Sequence, residues 1–133
     1  MKQKIELDKD GRVRIDNQVM ALLKPIPQDN YYKEKIIKNK NLMGFRARAN
    51  PGGQRAFIFR YRPKGKDEDG NYFEKVNKTL GPWYDKNDPK EKHLIGITPA
   101  VARKMAEEMK AKIVRGEDPN IVVARKKKGK VLS

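Results

Sequence analysis

Four arginines stand at alternate positions in two short runs, Arg46 and Arg48 in GFRARAN and Arg60 and Arg62 in AFIFRYRP. A guanidinium is a planar fork of donors that matches a phosphate or a guanine edge, so such a group suits recognition of a polyanion. Side chains alternate across a strand. As strands, these runs place Phe45, Ala47, Ala49, Phe57, Phe59 and Tyr61 on one face. Arg46, Arg48, Ile58, Arg60 and Arg62 fall on the other. Residues 41–62 hold five arginines and no acid, whereas a merely solubilising face usually mixes signs. The DNA major groove accepts a two-stranded ribbon of this kind. Arg55, at the head of the second run, and Lys75, Asn77 and Thr79 from a third run complete the candidate contact set.

Other chemistry finds little material. General acid–base or metal work needs clustered histidines or carboxylates at matched spacing. His93 is the single histidine, and Asp67, Glu68 and Asp69 share a polar, glycine-containing loop, PKGKDEDGN, that reads as surface charge. No metal site and no cofactor are expected. Tyr72 and Tyr84 lack activating neighbours and read as packing residues. With zero cysteines, disulfides and thiolate chemistry are excluded, in keeping with a reducing compartment.

Elements to position the arginines follow from local pattern. Asn50-Pro51-Gly52-Gly53 between the two runs is a hairpin turn signal. Residues 72–80, YFEKVNKTL, resume strand alternation until Gly81-Pro82. Thr98-Pro99 opens a helix that Gly116 closes. Within it Val101, Ala102, Met105, Ala106, Met109 and Ile113 span about 140° at ~100° per residue, a stripe suited to covering the apolar face of the sheet. Trp83 is expected as an anchor at the core edge, and residues 84–97 as an irregular excursion. Upstream, KIELDKDGRVRI alternates about Asp10-Gly11 as a short hairpin would. Asp16-Asn17 can cap a helix over Gln18 to Leu23, which Pro25 and Pro27 stop. Tyr31, Tyr32, Ile36 and Ile37 lie among Lys33, Lys35, Lys38 and Lys40, a basic, aromatic-interleaved stretch that reads equally as a solvated connector or as a direct nucleic-acid contact.

Length and charge set the bounds. A chain of 133 residues that is 37% hydrophobic supports one modest core. Thirty-two Lys and Arg against seventeen Asp and Glu give +15, an imbalance that implies a polyanionic partner. No apolar run approaches the ~20 residues that span a bilayer, and no signal-peptide pattern follows Met1. Membrane and small-molecule partners are not expected, and the cytoplasm or nucleoid is the expected location. The organisation reads as a leader over 1–40, a sheet-plus-helix unit over 41–119 and a basic tail over 120–133. In the tail, Arg125, Lys126, Lys127 and Lys128 would add phosphate contacts.

In sequence order come LLKPIP, YY, NLMGFRARANPGGQRAFIFRYR, NKTLGPW and ITPAVARKMAEEMKAKIVRGEDP. This series, over roughly residues 18–119, resembles the amino-terminal arm-type DNA-binding domain of phage and genomic-island tyrosine integrases. The resemblance rests on Gly44-Phe45-Arg46-Ala47-Arg48-Ala49, Gly52-Gly53, Arg55 with Phe57, Tyr61-Arg62, Thr79-Leu80-Gly81, Ala102-Arg103 and Arg115-Gly116-Glu117-Asp118-Pro119. It implies a three-stranded antiparallel sheet packed against one C-terminal helix, which with the short N-terminal helix or hairpin read above makes an α+β fold. It also implies a double-stranded DNA partner, the arm-type attachment sites, with the sheet in the major groove. Contacts to other integrase domains or to accessory DNA-bending proteins would follow. The strand-cleaving pattern of those enzymes, an arginine, then His-x-x-Arg, then a nucleophilic tyrosine, is missing, since Leu94, Ile95 and Gly96 follow His93. The chain is therefore expected to bind and not to cut. Two other classes share the charge: an RNA-binding or ribosome-associated module, which exposed strand aromatics would favour, and a protein-interaction adaptor using the helix stripe.

Overall fold

The structure, a computed structural model, describes residues 4–116. In chain order it runs through β1 (Arg12–Val13), α1 (Asn17–Leu22), β2 (Ile26–Pro27), β3 (Tyr32–Lys33) and β4 (Lys35–Asn39). It continues through β5 (Phe45–Ala49), β6 (Arg55–Tyr61), β7 (Val76–Trp83) and α2 (Pro99–Val114). The main sheet has the order β1-β4-β5-β6-β7, and β2 and β3 form a separate pair. The expected antiparallel trio is β5, β6 and β7. Two more strands extend it: β4 antiparallel to β5, and β1 parallel to β4.

The upstream hairpin does not form as a ladder. The chain does reverse there, with the Asp8 N–H donating to Arg12 O at 2.8 Å, but β1 takes its partner from β4, a longer strand of an established sheet. A two-stranded piece alone is marginal. The Asp16 carboxylate accepts from Val19 N at 2.8 Å and caps α1 as its position predicts. Residues expected as a leader belong to the same core as the sheet. Ile15, Met20, Leu23 and Ile37 are all buried with Phe45, Phe57 and Phe59. Asn39, unremarked in the sequence, ties this region down: its Oδ1 accepts from Ile15 N at 2.8 Å and its Nδ2 donates to Lys40 O at 2.6 Å. Both polar ends of a buried amide are thereby satisfied.

Gly81-Pro82 does not end β7, which runs on to Trp83. The pairing skips between Phe57 and Ile58, so that Ile58 opposes Thr79 and Phe57 opposes Gly81. The extra residue, Leu80, restores the phase needed to bury both itself and Trp83. Proline is tolerated because β7 is an edge strand and needs no N–H on its open side. Pro82 O accepts from Ile97 N at 2.9 Å instead.

Helix α2 is capped by Thr98, whose hydroxyl accepts from Val101 N at 3.2 Å, and it ends before Gly116 at φ 80°. Ala102 and Ala106 are fully buried, and Met105, Met109 and Ile113 pack partly against the core. Val101 is 48% exposed, so the expected stripe is narrower than the sequence suggests. At ~100° per residue the buried members span about 100° around Ala102, and Val101 falls outside that arc.

Gly44 sets the spacing between the β4–β5 turn and the end of β6. Its φ is 91°, its carbonyl accepts from Arg60 N at 2.8 Å, and a Cβ there would sit 2.4 Å from Arg60 O. Gly53 has a similar φ of 92° but open space around it. Gly53→Ala therefore carries left-handed strain alone, about 1 kcal/mol, and Gly44→Ala adds a backbone clash, for a total on the order of 3 kcal/mol. Thermal melting of both variants should show the larger drop for Gly44→Ala; equal drops would contradict this close approach.

Candidate nucleic-acid interface

Ladder register assembles the basic face. Across the five strands, Arg12 opposes Lys38, Lys38 opposes Arg46, Arg46 opposes Ile58 and Ile58 opposes Thr79. A second row runs Ile36, Arg48 and Ala56, and Arg60 opposes Asn77. Opposed side chains share one face at about 4.5–5.5 Å between Cβ atoms, and none of these positions carries an acid. Arg46, Arg48, Ile58, Arg60, Asn77 and Thr79 are thus brought together as the alternation predicts. Ile58 is only 1% exposed despite facing this side, which makes it a packing residue between longer side chains and not an accessible contact.

The electrostatics of the face are those of like charges held together by the backbone. Burial first, then the positive charges of Arg60 and Arg12, push the Arg46 guanidinium below its ordinary pKa. A cation whose folded pKa is depressed destabilises the fold at every pH where it is charged in the unfolded chain, here the whole ordinary range. Salt screens the part owed to Arg60 and Arg12 and leaves the burial part in place. The Nε of Arg48 is buried and has no hydrogen-bond partner.

Three expected contacts stand differently. Arg62 lies just beyond β6, exposed, and its guanidinium donates to Phe73 O at 2.8 Å, steadying the loop before β7. Lys75 is exposed just ahead of β7. Arg55 is on the wrong face: its ladder partners are Ala49 and Trp83, both buried in the core. Its Nη1 donates to Met20 O at 2.9 Å, its Nη2 pairs with Glu91 at 3.2 Å, and its guanidinium sits 4.8 Å from the Trp83 ring centroid. It fastens the carbonyl end of α1 and the 84–97 excursion to the sheet, while the Trp83 indole N–H donates to Asn17 Oδ1 at 3.0 Å. The parity that buries Phe57 and Phe59 also assigns Arg55 to their side. Arg125, Lys126, Lys127 and Lys128 lie outside the described residues.

Arg12, Lys38 and the half-exposed Ile36 join the face although residues 35–39 read as a connector. The signal was present in KIIKN, where Ile37 and Asn39 share one parity and Ile36 and Lys38 the other. Elsewhere Asp67 turns its carboxylate to the backbone, accepting from Asp69 N at 2.9 Å and Asn71 N at 3.0 Å. Among the described residues no group of three or more His or acidic side chains could hold a metal, and no helix is long and apolar enough to cross a membrane.

Residues 14–128 match the family described as the arm DNA-binding domain. No curated protein and no solved structure matches the chain.

The two classes of arginine separate in melting experiments. Arg55→Ala should lower the melting temperature, because it removes charged hydrogen bonds worth about 1.5–3 kcal/mol. Arg46→Met should hold or raise it at neutral pH, and adding salt should stabilise the parent chain more than this variant. Destabilisation by Arg46→Met, or none by Arg55→Ala, would contradict the assignment.

Proposed function

The chain belongs to the arm DNA-binding domain family, and on that premise we propose that it binds double-stranded DNA sequence-specifically. In this reading the arginine face of the sheet lies in the major groove of arm-type attachment sites, as the targeting part of a site-specific tyrosine integrase. The observation that carries the reading is the unbroken basic row through β1, β4 and β5 with Arg48 and Arg60 beside it, without an acid at any opposed position. Aromatic rings support duplex over single-stranded partners, since Phe45, Phe57 and Phe59 are buried on the helix side and leave no stacking platform among the arginines.

Roles divide by reach. Arg46, Arg48 and Arg60, with Asn77 and Thr79, approach base edges, and a good bidentate base contact is worth ~1–3 kcal/mol of discrimination. Arg12, Lys38, Arg62 and Lys75 at the margins neutralise phosphates and fix register. The same phosphate term makes affinity fall steeply with salt. Binding, and not strand cleavage, is the activity assigned to these residues; contacts to other integrase domains would be made by surfaces away from the sheet face.

Selection from a random duplex pool supplies the test. Arg60→Ala should weaken the selected duplex by about 5- to 150-fold, the worth of one base contact, and a scrambled duplex far less. Lys127→Ala should weaken both alike. Equal losses in the two duplexes for Arg60→Ala, or tighter binding to duplex RNA, would overturn the proposal.

A further inference from the structure

We infer that the end of the sheet carries a cleft for a backbone phosphate of the bound duplex, where Arg12, Lys75 and Lys110 close on the anion and Arg46 and Arg60 form the wall toward the base-reading face. This rests on the arginine face being the duplex-binding surface. The five cations come from β1, β5, β6, the approach to β7 and helix α2, and they line one cleft of about 270 Å³ with no acid among its walls. Phe59 and Ile113 supply apolar wall, and Gly44 contributes backbone alone. Five cations and no acid on the walls of a cleft this size select a compact anion.

Its position selects the source of that anion. Arg46 and Arg60 belong both to the cleft and to the ladder rows of the sheet face, so the cleft continues that face around the sheet end toward the C-terminal half of α2. A duplex on the face would carry its backbone past this end. Lys110 then reaches the phosphates from the helix. Sequence periodicity sets it outside the buried stripe and gives no reason to connect it to the strands. An anion here would also offset the mutual repulsion of Arg46, Arg60 and Arg12.

Salt titration of the full chain tests the inference. Lys110→Gln should reduce the slope of log affinity against log salt by about one, equally for selected and scrambled duplexes. Lys104→Gln, on another side of α2, should leave the slope as it is, and circular-dichroism melting confirms that both variants fold. Inorganic pyrophosphate should shift the amide signals of Met43 and Gly44 in the parent chain and not in Lys110→Gln. An unchanged slope in Lys110→Gln would overturn the proposal; if pyrophosphate still shifted those signals, the cleft would belong to a free phosphate compound. Failure of base readout at Arg60 would leave the Lys110 slope change intact, so the two failures are distinct.

Discussion

The backbone parity of β5 and β6 is the constraint on which everything else rests. Because successive side chains point to opposite faces, FRARA and RAFIFRY divide themselves into an apolar layer and a cationic one. The two layers do opposite things to stability. Burying one phenylalanine is worth about 1.5–3 kcal/mol, and three are fully or almost fully buried here. An exposed like-charge cross-strand pair costs only some tenths of a kcal/mol up to ~1. Burial therefore wins, and the core can hold a row of arginines in a proximity they would not choose. That stored repulsion is available to an anionic ligand.

Around this pair the rest of the chain solves two problems, covering the apolar layer and widening the basic one. Helix α2 lays two of its alanines, Ala102 and Ala106, on the sheet, where their small size permits close approach, while α1, Ile15 and Leu23 close the other part. Arg103 reaches from α2 to Ile15 O at 2.8 Å and links the two covers. Arg55, buried beside Trp83, holds the far end. On the opposite side β4 and β1 add Lys38 and Arg12 and β7 adds Asn77 and Thr79, so a ribbon of two strands becomes a platform of five.

Much of this was legible in the sequence. The hairpin, both faces, the capped helix over 98–116 and the position of Trp83 follow from local rules of alternation, turn chemistry and capping. What escaped was non-local. The parallel pairing of β1 with β4 has no turn signal, and the alternation in KIIKN, present but only five residues long and rich in lysine, reads equally as a connector. The bulge at Leu80 changes parity midway through β7, and only the need to bury both Leu80 and Trp83 explains it. Arg55 is a different kind of miss: its parity placed it with the phenylalanines, but its charge suggested the other face. A guanidinium can be buried when carbonyls, a carboxylate and an indole face all meet it.

The most direct test of the arginine face as the DNA surface is to follow arginine Nε–H signals by NMR while the selected duplex is added. The account predicts large shifts for Arg46, Arg48 and Arg60, with Arg55 and Arg103 unmoved. Shifts confined to Arg55, Arg103 and the amides of α2, with the sheet-face arginines unchanged, would contradict it.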